Sequence, residues 1–115
     1  MLIRMSLLAV ALASSAMAEE LAKGDAIHAA IAGNTVQGSM TASGAYAEFY
    51  AADGAIKAKD YAGNWKVDGD KMCFDYGEGA ATCFGLRLAG DQVTWVGDAG
   101  DEGTGTIIAG NPNGF

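Results

Sequence analysis

The chain has 115 residues, half of them apolar but only 9% aromatic, with 17 glycines and a single proline. Fourteen acids against seven Lys and Arg leave a net charge of −7 at neutral pH. That length holds one domain and excludes a doubly wound cofactor-binding enzyme with a separate substrate domain. The acidic balance excludes a surface that tracks nucleic-acid phosphates or docks on anionic lipid, since both need clustered cations.

Residues 1–18 read as an export signal. Arg4 gives a positive start, Met5 to Ala13 is an apolar run interrupted only by Ser6, and Ala16-Met17-Ala18 is the small-residue pattern a signal peptidase accepts. The run is too short to span a bilayer, which takes about 20 residues. No Cys stands at the cleavage point to carry a lipid. The expected mature chain is a single domain over residues 19–115, periplasmic or secreted, with no membrane anchor after cleavage. Loss of Arg4 gives it a net charge of −8. So small a domain buries a modest share of its surface, and its two cysteines can staple it in an oxidising compartment.

A short helix is predicted over about 25–32. Ile27, Ala30 and Ile31 recur near helical spacing, Asp25 offers an N-cap carboxylate, and Gly33-Asn34 ends the run. A helix this short is marginal alone, so it is expected to pack over one end of the domain.

After Asn34 short β-compatible runs alternate with Gly, Asp and Asn. Strands are predicted near Thr35–Ser39, Ala45–Tyr50, Ala55–Lys59, Asn64–Val67, Lys71–Tyr76, Thr82–Leu88, Gln92–Val96 and Thr104–Ile108. Asp-Gly pairs suit tight hairpin turns, because both central positions can take positive φ. Frequent turn signals with no helix between them mean antiparallel pairing of neighbours. The fold class is therefore mainly all-β: an up-and-down meander barrel of about eight short strands, with no exposed edge, and one N-terminal helix. A two-sheet sandwich is the alternative. The short, Gly-rich barrel is expected to leave little internal room.

One hairpin can be registered from its spacing. Cys73 and Cys83 are symmetric about Glu78, so Met72 opposes Phe84 and Phe74 opposes Thr82. Alternation then puts Met72, Phe74, Tyr76, Phe84, Leu86 and Leu88 on one face and Lys71, Cys73, Asp75, Cys83 and Arg87 on the other. A slip of one residue would mix the two sets. The register implies a cross-strand disulfide on the outer face. A redox-active pair would need the Cys-x-x-Cys spacing that this chain lacks.

The remaining polar residues offer few catalytic combinations. His28 is the only histidine, too little for a zinc site, and reads as an exposed or half-packed residue of the helix. Asp98, Asp101 and Glu102 sit in a Gly-rich stretch and are weak Ca²⁺ candidates, since their spacing does not match an EF-hand loop. They read as an acidic turn, as do Asp68 and Asp70. Most acids are turn-bound apart from Glu48 and Asp75. Tyr46, Glu48 and Tyr50 share one strand face, either an outward stripe with aromatic partners or a ligand-facing one. Trp65 and Trp95 are expected in the core, and in a hollow barrel they would line its cavity. No dinucleotide fingerprint or phosphate loop is present, and no cofactor is expected.

The order Gly63-Asn-Trp65-Lys-Val67-Asp-Gly69-Asp70-Lys-Met-Cys73-Phe, then Cys83, then Gly90-Asp91-Gln-Val93, resembles small exported bacterial proteins of unknown function with a Gly-x-Trp strand and a hairpin Cys pair. Ile31 to Gly38 and the tail Gly110 to Phe115 agree with the ends of such domains, so the resemblance covers most of the mature chain. Some proteins of that appearance carry the label dihydrodipicolinate reductase, whose dinucleotide fingerprint and length this chain lacks. Gly63, Trp65 and Cys73 also resemble periplasmic inhibitors of secreted metalloproteases, which are small disulfide-bonded barrels. That resemblance implies an N-terminal segment, here Glu19 to Gly24, inserted into a protease cleft. The expected function is an exported, non-enzymatic barrel that binds a protein or small molecule, with no nucleic-acid partner. The alternatives are the protease inhibitor and, behind it, a small enzyme using Glu48, Asp75 or His28.

Overall fold

In the computed structural model, which describes residues 20–115, eight strands follow one another in chain order around a closed antiparallel barrel. The predicted export signal and Glu19 lie outside the described residues. The strands are β1 (Asn34–Met40), β2 (Gly44–Tyr50), β3 (Ala55–Lys57), β4 (Ala62–Asp68), β5 (Lys71–Asp75), β6 (Thr82–Ala89), β7 (Gln92–Gly97) and β8 (Gly100–Ala109). Each pairs with the next, and β8 closes the ring on β1, with Asn34 opposite Ala109 and Met40 opposite Gly103. The unbroken ring of pairs is a barrel, not the alternative sandwich.

The hairpin turns differ from expectation in detail. Asp68 and Lys71 still pair, as do Ala89 and Gln92, so the loops are the dipeptides Gly69-Asp70 and Gly90-Asp91. Glycine takes the first central position of each with φ of 61°, and among the described residues no non-glycine has positive φ. A turn with Gly first suits the strand twist as well as Asp-Gly does. The stretch Gly97 to Gly103, expected as one long turn, narrows to Asp98-Ala99. A register shift between Trp95 and Val96 takes up the slack and lets Gly100 to Gly103 join β8.

The helix α1 (Gly24–Ile31) seals one end of the barrel, where Ile27 and Ile31 are fully buried beside Val36, Ile56, Met72 and Leu86. Its cap is not Asp25, which lies inside the first turn. Asp70 accepts a hydrogen bond from the Gly24 amide at 2.8 Å, so the β4–β5 turn caps the helix from 46 residues away. The segment before the helix runs along β6 beyond the last β5 partner, where the Ala22 amide donates to the Leu86 carbonyl at 2.7 Å.

The registered hairpin forms as the spacing predicts. Met72 faces Phe84, Cys73 faces Cys83, Phe74 faces Thr82, and the two cysteines are joined by a disulfide. Lys66 of β4 stands beside Cys73 on the same outer face. Cys73 is nonetheless covered, while Cys83 is exposed.

Candidate functional site

The end of the barrel opposite α1 is open. The loops between β1 and β2, β3 and β4, β5 and β6, and β7 and β8 surround its mouth, because every odd-numbered strand ends there. Below the mouth is a cavity of about 610 Å³. The expectation of little internal room is therefore corrected: the half nearest α1 is filled, and the other half is a cup. Glycine helps to make the space. At Gly105 a Cβ atom would collide with the Tyr46 hydroxyl and Val36, and at Gly103 one would press on Met40. Bare backbone at these two points lets the side chains of β1 and β2 lie flat against the wall.

The cup is walled by rings. Phe74 is central, with its ring 5.4 Å from Trp95, 6.0 Å from Phe84 and 6.0 Å from Tyr50, all edge-on. Edge-to-face contacts set the negative face of one ring against the positive edge of the next. The Trp95 indole N–H donates to the Tyr46 hydroxyl at 2.8 Å, and that hydroxyl donates to the Thr104 carbonyl at 3.0 Å.

Glu48 lies in the wall of this cup and is 4% exposed. Three phenols converge on it. Tyr50 donates to Oε1 at 2.6 Å, Tyr61 donates to Oε2 at 2.7 Å, and Tyr76 donates to Oε2 at 2.8 Å with a second, longer contact to Oε1. Charge-assisted O–H bonds of this kind are the strong ones. The three donors come from β2, the loop before β4 and the residue after β5, so barrel closure is what brings them together. Tyr61 and Tyr76 are in edge contact at 5.8 Å and form part of the rim. Among the described residues the cavity lining contains Glu48, Glu78 and Glu102 but no Lys, Arg or His. Among the described residues the ion pairs, Lys23 with Asp70 and Arg87 with Asp101, lie on the outside of the barrel.

All four tyrosines hold their protons more tightly than usual. Burial is the largest cause in each, and the negative charge of Glu48 adds to it. Tyr50, the most enclosed, is pushed well above the ordinary value of 10.0. In Tyr46 the Trp95 hydrogen bond works in the opposite direction without overcoming burial.

Of the five residues considered as ligand-facing, Tyr46, Glu48, Tyr50 and Trp95 line the cavity, so the outward reading of the Tyr46-Glu48-Tyr50 stripe is corrected. Trp65 does not line it. Tyr50 stands between Trp65 and the cup, 6.1 Å from the indole, and Trp65 turns toward α1. There its N–H donates to the Ala51 carbonyl at 2.9 Å and its ring lies 5.7 Å from His28. The weak metal candidates diverge: Asp98 is exposed, Asp101 pairs with Arg87, and Glu102 lies over Gly97 at the cup. The hairpin register puts Phe74, Phe84 and Tyr76 on the inner face, but nothing in their spacing marks them as site residues. Tyr61, in a loop, carried no signal that could have found it.

Of the N-terminal segment expected to insert into a protease, residues 21–24 are docked on the chain's own barrel. Ala22 bonds to β6, Gly24 bonds to Asp70, and Leu21 lies over Gly85. Compared with protein-family models, with curated proteins and with solved structures, the chain shows no match.

Proposed function

We propose that the protein is an exported, non-enzymatic binding domain that holds a small molecule in the aromatic cup beside Glu48. The cavity carries this reading. Its volume of about 610 Å³ falls within the range of small-molecule pockets, roughly 300–1,000 Å³. Like such pockets, it is mostly apolar and has a few converging polar atoms. The disulfide supports a compartment outside the reducing cytoplasm. No described helix is long and apolar enough to cross a membrane.

Binding is favoured over turnover by the state of the candidate acids. Both Glu48 oxygens already accept hydroxyl hydrogens. Asp75 is exposed and holds the Gly77 amide at 2.8 Å. His28 lies on the helix at the sealed end. No two of the three act on one point in space.

The test is titration with a neutral apolar fluorescent dye. Saturable binding of one dye per chain is expected, and Thr82→Trp, which places an indole at the mouth beside Phe84, should abolish it. No saturable binding, or binding indifferent to Thr82→Trp, would refute the proposal.

A further inference from the structure

We propose that the molecule the cup takes is an organic cation, an ammonium or quaternary ammonium group on an apolar body. This rests on the cup being the binding site and names the chemistry it selects. Three observations converge. The walls carry the rings of Tyr46, Tyr50, Phe74, Phe84 and Trp95, and aromatic rings attract a cation through their quadrupoles. Among the described lining residues the carboxyls Glu48, Glu78 and Glu102 contribute negative charge, with no basic side chain to answer it. Glu48 itself is almost fully buried yet has phenols around it and no cationic partner among the described residues.

The phenols satisfy the hydrogen-bonding capacity of Glu48 without cancelling its charge. A buried carboxylate lacking a counter-charge is costly, and a cation entering above it removes that cost. The cup thus has more to gain from a cation than from a neutral molecule of the same shape. An anion would meet three like charges.

An inorganic ion is a poorer occupant. Mg²⁺ and Ca²⁺ want six or more oxygen ligands at short range. Here the Glu48 oxygens are taken by hydroxyl donors, and most of the wall is apolar. A diffuse organic cation needs no such shell and brings apolar carbon to cover the rings.

The test compares benzyltrimethylammonium with neopentylbenzene, its neutral isostere, and with phenylacetate. Each displaces a neutral apolar dye from the wild-type protein at low salt. The cation is expected to bind roughly tenfold or more tighter than the isostere, to lose part of that margin as salt rises, and to outcompete phenylacetate by more. Glu48→Gln, checked for a native near-UV circular dichroism spectrum, should shrink that margin severalfold, leaving the smaller preference that the rings and the rim carboxylates supply. Should that variant not fold, the wild-type ratio and its salt dependence decide. An isostere that binds as well as the cation would overturn the choice of a cation and leave the cup standing as a binding site. Failure of the dye itself to bind saturably would overturn the binding-site reading instead.

Discussion

Glu48 occupies an inward strand position, where an acid is normally costly, and three phenols make it tolerable. Their contributions are unequal. Tyr50 is 1% exposed and Tyr61 is 47% exposed. A hydrogen bond to a charged group deep in the barrel is worth about 2 kcal/mol, and one at a solvated rim less than about 1 kcal/mol. Tyr50→Phe should therefore lower chemical-denaturation stability by about 2 kcal/mol and Tyr61→Phe by under about 1 kcal/mol. Equal losses would contradict the placement of Tyr50 at the bottom of the cup. The tyrosines also set a pH dependence. They are more reluctant to ionise in the folded protein than in the unfolded chain. Stability is thus retained below the ordinary value of 10.0 and falls as pH rises above it toward the folded values. An alkaline spectrophotometric titration should show little tyrosinate until the barrel unfolds. A titration step near the ordinary value would contradict the environment described. From sequence alone only the Tyr46-Glu48-Tyr50 stripe was visible, without its direction. Its partners Tyr61 and Tyr76 lie 13 and 28 residues from Glu48 and meet it only through closure of the ring.

The elements were more legible than the site, because alternation along a strand is a local signal. The Cys73–Cys83 hairpin shows why: one register alone sorts apolar from charged residues, and that register formed. The helix was legible by its apolar spacing but not by its cap, since Asp70 is remote in sequence. Asp70→Ala should lower stability by about 1 kcal/mol, as loss of a helix cap does, whereas Asp25→Ala should cost less. Thermal or denaturant unfolding of the two variants checks the order. Ile27→Asp would place a charge against the sealed end and should cost several kcal/mol. The disulfide closes a loop of eleven residues counting both cysteines, worth about 3 kcal/mol in chain entropy. Its reduction should lower the melting temperature on the order of 10 °C. An unchanged melting curve in reductant would show that the bridge does not hold this hairpin.

Across the whole molecule, the two ends of the barrel do different work. α1 and an apolar plug fill one end, while rings and carboxylates line the other. Strand count and connectivity could be read from turn spacing, but this division could not. Whether a barrel is filled depends on which inward side chains point up or down its axis. Trp65 and Trp95 look alike in sequence, each on an alternating strand, yet Tyr50 separates them into different compartments. That separation offers the most direct measurement. Two single-tryptophan proteins, Trp65→Phe and Trp95→Phe, are titrated with a neutral apolar quencher sized for the cup. Saturable quenching is expected when Trp95 is the remaining tryptophan and not when Trp65 is. Equal quenching of both, or of neither, would contradict a barrel sealed at the helix and open for binding at Glu48.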